Sequence, residues 1–125
     1  ALNRRYWSHD ETTILASQNN LAACLGELGR LDEALVLMRV IYTRRVALLG
    51  ALHHDTILSG NNQVASLLRL ERWDEATTLL RDQLPLARQS LGADHNMTLG
   101  MSSNLAAALA NDPKHTRDDL LEAET

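Results

Sequence analysis

The sequence predicts an all-α protein, an α-solenoid of antiparallel helix hairpins. Three observations carry that expectation. The first is a repeat: Asn20 returns as Asn62 and Asn104, Asp32-Glu33-Ala34 as Asp74-Glu75-Ala76, and Leu49-Gly50 as Leu91-Gly92, always 42 positions on. A fixed period of this size marks stacked supersecondary units, each burying its apolar face against its neighbours. The second is composition. The apolar share is 45% but aromatics are only 3% and Phe is absent, so the apolar mass is Leu and Ala. Those residues lose little rotamer freedom in a helix. The third is punctuation, with two prolines and six glycines in 125 residues, several of them at the ends of apolar runs.

The elements follow in order. Residues 1–8, with Asn3-Arg4-Arg5-Tyr6-Trp7, stand one period before Arg44-Arg45 to Leu49 and read as the tail of a preceding helix. Residues 9–50 form unit one. Leu15, Leu21, Ala22, Leu25 and Leu28 recur at helical spacing, and Gly29 stops that helix. Leu31, Ala34, Leu35, Met38, Ile41, Tyr42 and Leu49 mark a second helix, closed by Gly50. Unit two, residues 51–92, repeats this grammar from Leu58 to Leu70 and from Trp73 to Leu91, with Gly92 at its end. Small residues, Ala22 with Ala34 and Val64 or Ala65 with Ala76, fall where the helices of one hairpin cross, so that the backbones approach closely. Trp73 takes the place of Leu31 and is expected in the core. Pro85 falls inside the second helix of unit two, where it removes one backbone bond and bends the helix. In the linkers, the Asp and Thr of His53-His54-Asp55-Thr56 and Asp94-His95-Asn96-Met97-Thr98 are expected to cap the next helix.

Unit three, residues 93–125, is partial. Thr98, Leu99, Leu105, Ala106 and Leu109 repeat the first helix, and Asn111-Asp112-Pro113 breaks it. Thr116-Arg117-Asp118-Asp119 then reads as a new helix start, with Glu122-Ala123 re-entering the register of Glu33-Ala34 five residues late. The chain is expected to be an excerpt of a longer array. Apolar surface at its two ends makes self-association an expected property.

The stretch Leu21-Ala22-x-x-Leu25-x-x-x-Gly29-Arg30-x-x-Glu33-Ala34 resembles the tetratricopeptide repeat, whose common unit is about 34 residues. Leu49-Gly50-x-x-His53-x-Asp55-Thr56-Ile57 and Leu91-Gly92-x-Asp94-His95-x-x-Thr98-Leu99 narrow the likeness to the longer, kinesin light chain-like type. Glu11 stands where that pattern has its linker His, and His54 and Asn96 stand where it has proline. The resemblance implies a right-handed superhelix in which the first helix of each unit lines a concave groove for an extended or helical peptide. By position, the groove residues would be Ala16, Asn19, Asn20, Ala23 and Glu27, then Leu58, Asn61, Asn62, Ala65 and Arg69, then Ser103, Asn104, Ala107 and Asn111.

Asn20, Asn62 and Asn104 are one residue per unit. An Asn amide donates and accepts at once, which suits the N–H and C=O groups of a peptide backbone. The competing role is to bridge neighbouring helices inside the solenoid. Glu27, Arg69 and Asn111 are the candidate selectivity residues. The groove lacks the repeated Lys and Arg of a clamp for a C-terminal carboxylate.

Other function classes find little support. The net charge is −4, with 16 acidic and 12 basic residues well mixed, so no basic block marks a nucleic-acid footprint. No apolar run reaches the roughly 18 residues of a membrane span, and the opening residues do not read as a secretory signal. Cys24 is the only cysteine and cannot form an internal disulfide, which favours a reducing, cytoplasmic setting; it lies on an apolar stripe and is expected to be a small buried filler. His53, His54 and His95 with Asp55 and Asp94 invite a metal reading. One period should separate His53 from His95 by on the order of 10 Å, the width of a helix, too far for one zinc holding its ligands at about 2 Å. No phosphate loop, nucleophile elbow or paired-carboxylate motif is visible. The expected function is therefore a protein-interaction scaffold that binds a partner's peptide, with no catalytic residue, metal or cofactor. A spacer or self-association element is the alternative, and a metal-dependent enzyme a remote one.

Overall fold

The computed structural model describes the backbone of residues 2–112 and the side chains of Glu11 and residues 13–112. Among these residues the chain forms five helices and no strand: α1 (Leu2–Glu27), α2 (Leu31–Leu49), α3 (His54–Arg69), α4 (Trp73–Leu91) and α5 (Asn96–Asn111). Each helix packs on the next along the chain, which is the contact pattern of a solenoid. The expected second helix of unit three falls within 113–125, outside the described residues.

Two kinds of turn alternate. Within a hairpin, helix one closes by bonds from Gly29 N to Gly26 O (3.1 Å) and from Arg30 N to Leu25 O (2.9 Å), with Gly29 at φ 81°. This left-handed closure caps the last carbonyls. The same turn in unit two has Glu71 N bonded to Leu68 O and Arg72 N to Leu67 O, at 3.1 and 2.9 Å, with Glu71 at φ 58°. Between hairpins, Gly50 (φ 90°) and Gly92 (φ 99°) end α2 and α4. Helix α1 runs without interruption past residue 8, which is Ser at the register of those glycines.

The linker caps differ from expectation. The Nδ1 atoms of His53 and His95 accept from the backbone N–H of Asp55 and Met97, each at 3.1 Å. The histidines therefore cap α3 and α5, with Nδ1 unprotonated. Thr56 is buried and donates its hydroxyl to Arg45 O at 3.4 Å. At the starts of α2 and α4, Asp32-Glu33 and Asp74-Glu75 place negative charge in the first turn, where the helix dipole favours it. Arg30 pairs with Glu33 (2.6 Å) and Arg72 with Glu75 (2.7 Å). The Arg-x-x-Glu element thus forms the same pair, three residues apart, in both units.

The core is three apolar clusters along the stack. Leu15, Ala22 and Ile41 join α1 to α2. Leu35, Leu67 and Ala76 join α2, α3 and α4. Ile57, Val64, Leu80, Leu84, Ala87, Met101, Leu105 and Leu109 join α3, α4 and α5. Ala22, Ala34, Val64 and Ala76 are completely buried at the helix crossings, while Ala65 is exposed. Trp73 is half-buried. Pro85 lies on an exposed position within an α4 that continues to Leu91.

The buried place expected for Cys24 is corrected: the residue is exposed. Ile14, Leu21 and Leu28 on the same helix are 54%, 54% and 73% exposed. One period on, Thr56, Gln63 and Ser66 are buried, and two periods on, Thr98, Leu105 and Ala108 are buried. Helices α2 and α4 pack on α3 and α5. No described element covers the corresponding side of α1. Helical spacing identified the stripe correctly, but spacing alone does not supply the neighbour that buries it.

Candidate peptide-binding face

Side-chain bonds tie alternate helices into two layers. Asn62 Nδ2 donates to Asn19 Oδ1 (3.5 Å) and Arg69 Nη2 to Gly26 O (3.4 Å), linking α3 to α1. Arg39 pairs with Glu75 (3.2 Å) and Gln83 Nε2 donates to Tyr42 Oη (2.7 Å), linking α4 to α2. The residues expected in the groove all belong to the first layer, α1, α3 and α5.

None of them is consumed by the core. Ala16, Asn20, Ala23 and Glu27 are exposed on α1 and Asn19 is half-buried. On α3, Ala65 and Arg69 are exposed, and Leu58, Asn61 and Asn62 are half-buried. On α5, Ser103, Ala107 and Asn111 are exposed and Asn104 is half-buried. Helical geometry accounts for this placement: these positions recur three and four residues apart, opposite the buried positions Ala22, Val64 and Leu105.

Several of these side chains already have partners. The Asn19–Asn62 contact is a bridge between neighbouring helices, at the long end of hydrogen-bond distance. Asn111 Nδ2 donates to Ala107 O of its own helix at 2.7 Å. Arg69 reaches the last turn of α1, so its charge sits where carbonyls converge. Asn20 keeps an exposed amide.

The linker histidines stay apart by role, each folded back onto its own helix start. Among the described residues no group of three or more His, Cys, Asp or Glu side chains is placed to hold a metal ion, and no helix is long and apolar enough to cross a membrane.

Two polar residues escaped the sequence reasoning. Arg45 is buried between α2 and α3, where its Nη1 donates to Ser59 Oγ (2.6 Å) and Asp55 O (3.3 Å). Gln63 is 6% exposed at a position occupied by Leu21 and Leu105 in the other units. The period itself was the available signal, because an amide replacing leucine at a buried register stands out.

A family comparison agrees with this architecture. The tetratricopeptide repeat profile matches residues 14–55 and 56–96, two consecutive units. The chain belongs to the tetratricopeptide repeat family, in its 42-residue, kinesin light chain-like form. That family generally mediates protein–protein interaction. None of the curated proteins matches the chain.

Proposed function

We propose that the chain is a scaffold that captures an extended peptide segment of a partner protein along the α1–α3–α5 face. The observation that carries this reading is the recurrence of Asn20, Asn62 and Asn104 at one register of three successive helices, all outside the core. Their amides would pair with the partner's backbone, and the exposed Ala23, Ala65 and Ala107 leave room for it to lie close. Backbone capture of this kind is indifferent to sequence, so selectivity falls to Glu27, Arg69 and Asn111, with Asn19, Asn61 and Ser103 completing the surface. We place the repeat divisions at 9–50, 51–92 and 93–125, after a tail at 1–8, and the protein in the cytoplasm, where the accessible Cys24 stays reduced.

The test is a peptide selected from a random library against the chain. Asn20→Ala combined with Asn62→Ala should weaken its binding about tenfold or more, the equivalent of one or two lost hydrogen bonds, and the melting temperature should hold. Unchanged affinity in a folded double variant would refute the groove.

A second reading, self-association, is favoured by the uncovered side of α1. Ile14, Leu21 and Leu28 recur every seven residues and are more than half exposed. A second copy seated there would do what α2 does for α3. Scattered-light mass should then rise with concentration, and Leu21→Glu should hold it at the monomer value of 13.9 kDa.

A further inference from the structure

We propose that a cleft between α2 and α4, on the layer away from the peptide face, receives the side chain of a lysine or arginine from a partner polypeptide. The cleft has a volume of about 340 Å³ and is floored by Leu67 and Leu79. Gln63 lines it from α3.

Gln63 is the observation that points to a ligand. It is 94% buried, yet among the described residues its amide makes no hydrogen bond. Leucine stands at this register in both other units. The amide is not among the side-chain groups shut off from solvent, so its hydrogen-bonding capacity stays available in the cleft it lines, whereas leucine at this register would only add to the core. A polar group that reaches the cleft at a register leucine fills elsewhere calls for an explanation. Its opening onto the cleft supplies one: Gln63 Oε1 is an acceptor for a donor entering from outside.

The charge of the cleft selects the donor. Its wall carries Asp74, Glu75 and Asp82 against the single base Arg39. Glu75 already holds Arg39 at 3.2 Å and Arg72 at 2.7 Å, so the Arg39 charge is spent across the mouth. Asp82 pairs with no basic group among the described residues. A cation is therefore favoured over an anion. The apolar floor suits a methylene stem that lies on Leu67 and Leu79 while its head meets Asp82 and Gln63. Lysine and arginine are the protein side chains with that combination, and the family's role in protein contacts makes a polypeptide the source.

The experiment is a two-dimensional amide NMR titration of the whole chain with N-acetyl-arginine amide and N-acetyl-lysine amide, against the neutral citrulline counterpart. The cationic probes should give saturable shifts at the Gln63 side-chain amide and at residues 74–82, and citrulline should give none. Gln63→Leu should raise the melting temperature and weaken the cationic probes about tenfold, the equivalent of one charge-assisted hydrogen bond. Asp82→Asn should weaken them comparably with little effect on stability. Equal binding of citrulline would overturn the assignment. So would absence of a saturable shift, shifts centred on Asn20 and Asn62 instead, or a melting temperature lowered by Gln63→Leu, which would make the amide structural.

Discussion

Glu71 adopts the left-handed turn that Gly29 adopts one unit earlier, at φ 58° against 81°. A side chain in that region costs roughly 1 kcal/mol that glycine avoids. Glu71→Gly should therefore raise stability by about 1 kcal/mol, and Gly29→Ala should lower it by a similar amount, both read by urea denaturation. A loss of stability on Glu71→Gly, or a gain on Gly29→Ala, would contradict the left-handed turn. A second local prediction concerns Gly60 and Gln83. A Cβ on Gly60 would lie 2.5 Å from Gln83 Oε1 and 2.7 Å from its Cδ, and Gln83 is buried and held by Tyr42. Gly60→Ala should cost about 1–3 kcal/mol by overpacking, and trimming Gln83 to Ala in the same chain should relieve part of it. Unit one has Gln18 and the apolar Ile41 at the registers of Gly60 and Gln83. The size of each residue was legible in the sequence, but which pairs meet was not, because the period fixes register and leaves side-chain direction to packing.

Helix ends were legible to different degrees. The stops at Gly29, Gly50 and Gly92 were read correctly because glycine alone takes a positive φ freely. The starts were misread, since Asp55 and Thr98 are better cap formers by type than the histidines that do the work. Replacing His53 with Ala should cost about 1 kcal/mol of stability, and His53→Asn should retain most of it; if both behave alike in thermal melts, the imidazole acts through something other than its acceptor. The α4 start carries a pH dependence. The Glu75 carboxyl is held below the usual glutamate range, first by its hydrogen bond from Arg72; desolvation, second in size, opposes this, and the charges of Arg72 and Arg39 and the Arg39 hydrogen bond add to the lowering. A lowered folded value means its stabilisation is complete above the ordinary glutamate range and is lost as pH falls through the folded value. The side chain is about half exposed, so the effect is small. The melting-temperature gap between the parent chain and Glu75→Gln should close in acid, and a gap independent of pH would contradict the pairing.

At the scale of the whole molecule, the 42-residue period told both the architecture and the family, because a solenoid's core is a sum of neighbour contacts that the repeat rewrites in each unit. It did not tell where the stack stops being covered, which is why Cys24 and Leu21 were expected inside and lie outside. It also ranked the Asn positions as a face without saying how firmly they engage each other, and the Asn19–Asn62 bridge is the part that needed coordinates. The proposed function requires that this face, and not an end of the stack, holds a partner's peptide. The most direct measurement follows the side-chain amide resonances of Asn20, Asn62 and Asn104 while a library-selected peptide is added. All three should shift together and saturate with a single dissociation constant. Saturable binding that leaves those amides unmoved and shifts Ile14, Leu21 and Leu28 instead would contradict the claim and give the α1 edge the role assigned to the groove.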